Sequence, residues 1–377
     1  MSSMITADTL RRCTLHQLPV ELVVHIMKAS PSLSALWSFI NTSARLATIF
    51  DGCALEVTEN VLRCTVPEQT QVLLYAVFQL RLSLHPPSLH AARELREVNL
   101  SSLQDRLLAT PITTSEIPRS FVFLAHKIHV LAHECIEHYI RVCMTMNPSC
   151  LDDPTFKGYW YLKLRQPKGR LYQPKDSGPP SWAEEQLVLL NMWRLQYYFD
   201  MKAACDVGQL GWSTADQEEL KSLDLPEFYH MSPAGSGHYI TEQLMTVYAY
   251  VHGVRTPEQD ATLPLRLPSP NTRSRFDLGC FPEPKRNQPD GKALIIDFRP
   301  DSWIFAWMMS RNLKTSPLCG FGPQHFRRFG FTLWEDSRMT DLGLLPPRSH
   351  FFSYEYYFKW RSILSDEECD PANRDNW

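Results

Sequence analysis

A single glycine, Gly52, stands in the first 157 residues of this chain, and the next is Gly158. Tight turns, hairpins and close backbone approaches to phosphate rely on glycine, because it takes positive φ without a Cβ clash. A long stretch nearly without it is steered toward helices joined by capped turns. Glycine-rich phosphate cradles are disfavoured there. Prolines number 28 against 15 glycines, and they read as helix punctuation and loop markers. The expectation is a mainly α chain.

The first strong segment runs from Leu15 to Phe50. Leu18-Pro19-Val20-Glu21 reads as a helix start, with proline at the first helical position and a carboxylate near the positive end of the dipole. Leu18, Leu22 and Ile26 recur every four residues, and Val23 and Met27 widen the apolar stripe. Ser30-Pro31-Ser32 breaks this helix and supplies a hydroxyl cap for the next. Leu33, Leu36, Trp37 and Ile40 then mark a second amphipathic helix, and Leu46, Ile49 and Phe50 a third, ending at Asp51-Gly52. Three such short helices cannot bury all their apolar faces among themselves. Either the rest of the chain covers them or another protein does.

Further helices are predicted over 56–62, 68–84, 89–108 and 117–146, separated by prolines. Ser181 and Glu184 form a capping box opening a helix from Trp182 to about Ala204. Others are expected over 214–223, 239–252, 302–312, 324–335 and 350–364, with one short strand over 293–298. Residues 256–290 hold seven prolines and read as a long proline-rich loop. The expected organisation is a flexible segment 1–14, a three-helix unit 15–52 and a large irregular helical domain 53–377. No repeat of fixed period is visible.

Composition narrows the function. The net charge of −3 offers no polybasic field for nucleic acid or anionic membrane. No apolar run reaches membrane-spanning length, and Met1 to Cys13 lacks the apolar core of a secretory signal, so an intracellular protein is expected. The ten cysteines include no C-x-x-C pair, which argues against a structural zinc site. Gly235-Ser236-Gly237-His238 is not a nucleophile elbow, and Gly320-Phe321-Gly322 lacks the third glycine of a dinucleotide fingerprint. Arg327-Arg328-Phe329 mixes charge and aromatics but falls in a helical context, where arginines cover apolar surface. The late aromatics, Trp334 and Trp360 among them, read as core rather than a ligand cage.

The sharpest chemical feature is His126, His129 and His133, which share roughly one helical face with Glu137. Imidazoles and a carboxylate on one face are metal-ligand chemistry. The zinc-protease pattern needs two histidines four apart, whereas His133 and His138 are five apart and splayed by about 140°. The preferred reading is a polar helix face, with no metal, no cofactor and no catalytic residue.

The string from Leu15 to Ile26 matches L-x-x-L-P-x-E-L-x-x-x-I, and on these residues the segment resembles an F-box. Leu36-Trp37-Ser38-Phe39-Ile40-Asn41-Thr42-Ser43 is similar to the variant in fungal F-box-like proteins. Those tend to carry a His-containing helix, here 124–139, and a W-R-L-Q helix, here Trp193-Arg194-Leu195-Gln196. Two features depart from the pattern: the connection Lys28 to Ser32 is short, and the tryptophan that often closes the third helix is absent.

The resemblance implies a Skp-type adaptor as partner, docked on an apolar face, a link through it to a cullin ubiquitin ligase, and a protein substrate held by the remaining chain. It nominates Leu18, Pro19, Leu22, Ile26, Leu33, Leu36 and Ile40 for the helical core or the adaptor-facing surface, without dividing them. Two other readings compete: an F-box-fold scaffold acting outside ubiquitin ligases, and a metal-dependent enzyme using the His126, His129 and His133 helix.

Overall fold

The computed structural model describes residues 17–95, 100–109, 114–153, 169–229, 236–254, 267, 318, 323–346, 354–365 and 367–368. Within them the chain is mainly α-helical. Apart from Leu267, the loop 256–290 expected from sequence lies outside the described residues, as do the strand 293–298 and the helix 302–312.

The chain opens with α1 (Val20–Lys28), α2 (Leu33–Ile40) and α3 (Ala44–Gly52). Pro19 is the N-cap of α1 rather than its first helical residue; its backbone is extended, and its carbonyl accepts from the Val23 N–H. The Ser32 cap forms as expected, its Oγ accepting from the Ala35 N–H, and Ser43 Oγ accepts in the same way from the Leu46 N–H. Then come α4 (Ala54–Thr65) and α5 (Glu68–Arg81). The helix expected over 89–108 is two pieces, α6 (Leu89–Arg93) and α7 (Leu100–Ala109).

The centre of the fold is α8 (Glu116–Thr145). Its 30 residues make a rod of about 45 Å. Pro118 fits within it because first-turn amides need no intrahelical acceptor. Against α8 pack α2, α4 and α9 (Trp182–Asp206), and α5 packs on α9. Three rings bind this centre: Phe78 of α5 stacks on Phe121 of α8 at 4.4 Å between centroids, and Phe121 meets Trp193 of α9 at 5.8 Å. The buried face of the three-helix unit therefore belongs to the same core as the body. Arg119 of α8 adds a link, binding the Asp51 carboxylate and the Ala47 carbonyl of α3.

The capping box at α9 forms as read from Ser181 and Glu184. Glu184 does more than cap: it receives Arg338 through Nε and Nη2, and the Glu335 N–H. Beyond α9 lie α10 (Thr214–Ser222), α11 (Leu225–Phe228) and α12 (Ser236–Val254). A small antiparallel pair, β1 (Ser149–Leu151) and β2 (Gly169–Leu171), was not expected; strands of three residues carry too little periodicity to be seen.

The α-helix expected over 324–335 is instead two 3₁₀ segments, Pro323–Phe329 and Phe331–Leu333, divided by Gly330 at φ 69°. Tyr139 lies against that glycine, where a Cβ would meet ring and Cβ atoms at 2.8–2.9 Å. Trp334 and Trp360 are fully buried, their indole N–H groups donating to the carbonyls of Phe329 and Leu344, so these aromatics are core. Two short helices close the described chain, α13 (Asp336–Asp341) and α14 (Tyr354–Ser362). No described helix is long and apolar enough to cross a membrane.

Candidate functional site

Two regions carry candidate residues. The first is α1, where consecutive residues meet opposite environments. Val23 and Met27 are fully buried, while Leu22 and Ile26 are 50% and 39% exposed. One residue is 100° of helix, so the outward pair lies a quarter turn from the inward pair. Pro19 and Ala29 are also exposed, at azimuths that extend the outward stripe. Leu18 is half-buried. Leu33, Leu36 and Ile40 of α2 are buried against the body of the chain.

The structure thus divides the seven residues nominated from sequence. Pro19, Leu22 and Ile26 face outward, Leu33, Leu36 and Ile40 are core, and Leu18 lies between. Arg45 of α3 holds the start of α1 in place by donating to the Leu18 carbonyl at 2.7 Å.

The second region is the α8–α9 interface. Here the histidines of α8 separate. His126 turns to α2, with Nδ1 2.9 Å from the Ser34 hydroxyl, and burial holds its pKa below the ordinary imidazole value. Glu137 pairs with Arg141 one turn on, at 3.4 Å. His129 and His133 stay together, and their partner is Glu185 of α9: its Oε1 is 3.0 Å from His133 Nε2 and 3.8 Å from His129 Nδ1. His126 lies seven residues from His133, about 10 Å along the axis, too far to join them.

Glu185 has no counterpart in the sequence reading. The signal available was the pair His129 and His133, themselves four residues apart, which puts both rings on one face in adjacent turns. The His133–His138 spacing was the wrong pair to judge. The carboxylate itself could not be found from sequence, because it comes from a helix 52 residues away.

All three side chains are buried, and one atom from each falls within 4.8 Å of the others. Glu185 Oε2 is buried without a hydrogen-bond partner. His129 and Glu185 also line a cavity of about 380 Å³ between the start of α2, the end of α4, α5, α8 and α9. Its rim carries the exposed Pro31 and Cys64, and its wall includes Thr70, whose Oγ1 is likewise buried without a partner. His129 thus shares this cavity with two residues, Glu185 and Thr70, that each carry a buried oxygen without a partner.

Comparison with family models, with curated proteins and with solved structures finds no match to this chain.

Gly320-Phe321-Gly322 lies outside the described residues. Arg327 and Arg328 are held by carboxylates, Arg327 by the buried Glu242 and Arg328 by Glu368. Cys53, Cys64, Cys135, Cys143, Cys150 and Cys205 are free thiols. Burial pushes the Cys143 thiol up to about 12 and raises Cys135 well above its ordinary value, so neither is a nucleophile at neutral pH.

Proposed function

We propose that this chain is a non-catalytic substrate adaptor, joining a Skp-type protein of a cullin ubiquitin ligase through α1 to a protein substrate held by the helical body. The observation that carries the reading is the outward stripe Pro19, Leu22 and Ile26. A soluble surface helix normally turns one apolar face inward and a polar face outward. Here a second apolar face, beside the buried one, remains exposed on the helix that bears the F-box-like string.

Covering what Leu22 and Ile26 expose is worth roughly 1 kcal/mol each, so the stripe anchors a partner without being needed for the fold. The chain would accelerate ubiquitin transfer by positioning, holding its substrate beside the ubiquitin donor in place of a bimolecular encounter.

The test is co-purification of the full chain with a Skp-type adaptor, comparing wild type with a Leu22→Asp, Ile26→Asp double variant. Capture by wild type and loss in the double variant at unchanged melting temperature is expected. A wild type that captures no adaptor, or a double variant that captures it equally, ends the proposal. Cullin in the recovered complex separates a ligase subunit from a scaffold acting elsewhere.

A further inference from the structure

We propose that His129, His133 and Glu185 bind a divalent first-row transition ion, with an open coordination position facing the cavity between α2, α4, α5, α8 and α9. Glu185 is wholly buried, and an ionised carboxylate removed from water needs a cation or several donors to offset the loss of hydration. Among the described residues no lysine or arginine bridges to it; its ion-pair partners are the two imidazoles. One oxygen, Oε2, has no donor. A dication at the centre of the three groups answers the charge and can engage either oxygen.

Donor chemistry and geometry agree. Two imidazole nitrogens and one carboxylate oxygen suit zinc, iron(II) or manganese(II), and are too nitrogen-rich for magnesium or calcium. Legs of 2.0–2.1 Å in a tetrahedral site place ligand atoms about 3.3 Å apart. Two of the three separations, 3.0 and 3.8 Å, bracket that value, and all three lie within 4.8 Å. The two histidines come from adjacent turns of one helix, and the carboxylate projects from the first turn of α9, whose start is anchored by its capping box and by Arg338. Three protein ligands leave a fourth position, and two of them, His129 and Glu185, border the cavity. That cavity supplies the entry route and room for a small ligand of the ion. The inference is independent of adaptor docking, since α1 contributes nothing to the cavity.

The experiment uses full chain purified without a histidine tag and stripped with a chelator. Zinc is titrated in by calorimetry, and the melting temperature is read with and without it. One zinc per chain and a raised melting temperature are expected. Glu185→Gln and His129→Gln should each weaken binding by more than the roughly 10- to 100-fold that loss of an outer-shell partner costs. His126→Gln and Cys64→Ser should leave it unchanged. Because ligand variants can fail to fold, wild-type chain loaded with cobalt(II) is also examined by X-ray absorption, where two imidazoles and light-atom ligands are expected. Absence of stoichiometric uptake, uptake that survives Glu185→Gln, or sulfur in the cobalt shell overturns the proposal.

Discussion

His133 Nε2 and Glu185 Oε1 lie 3.0 Å apart across the α8–α9 interface, with both side chains shut off from solvent. The two helices that form the centre of the fold thus meet through a polar contact as well as through rings. Removing one member leaves the other buried. Glu185→Ala in metal-free protein is expected to cost about 3–5 kcal/mol, read from the denaturant midpoint at constant m-value. A loss below about 1 kcal/mol would mean that water reaches the site freely.

Leu22 and Leu36 should part company under the same substitution. Leu36→Ala empties space in the core and should cost about 2–5 kcal/mol. Leu22→Ala trims an exposed side chain and should stay within about 0.5 kcal/mol. Equal losses at the two positions would contradict the division of the F-box-like residues into core and outward face.

Gly330 and Gly208 have nearly the same backbone, φ 69° and 70°, in different surroundings. A Cβ at Gly208 meets nothing within 4 Å, whereas one at Gly330 collides with Tyr139. Gly208→Ala should therefore cost about 1 kcal/mol from the left-handed backbone alone. Gly330→Ala should cost clearly more, since it also displaces a packed tyrosine whose hydroxyl donates to the Thr246 carbonyl. Thermal melts of the two variants side by side make the comparison.

Acid should weaken the fold through its depressed histidines. Burial lowers the pKa values of His85, His126 and His138 below 6.5, with Arg141 adding to the effect at His138. The unfolded chain then binds protons before the folded one does. Stability is therefore whole above the unfolded value and falls as pH drops below it. His126→Gln, which keeps a polar partner near Ser34 Oγ, should flatten part of the decline between about pH 7.5 and 5.5 in pH-dependent melts. An unchanged slope would place the acid sensitivity elsewhere.

Local chemistry was legible residue by residue. The caps at Ser32, Ser43, Ser181 and Ser213 were readable because a hydroxyl and the amide it accepts from lie three residues apart. So was α8, whose apolar stripe runs unbroken from Phe121 to Cys143. What misled was context. The 324–335 segment has helical spacing, yet Gly330 turns left-handed against Tyr139, a contact 191 residues away in sequence. The three-residue strands likewise depend on a partner about 20 residues away.

The sequence by itself determined a mainly helical chain, because scarce glycine, apolar spacing and capping residues all act within one or two turns. It also marked α1 as a helix with more apolar surface than one face needs. Only the tertiary structure decided which part of that surface is spare, by packing Val23 and Met27 inward and leaving Leu22 and Ile26 outside. It alone brought Glu185 to His129 and His133. Periodicity reports which residues share a face, while the partner of that face comes from elsewhere in the chain and is settled only when the helices pack.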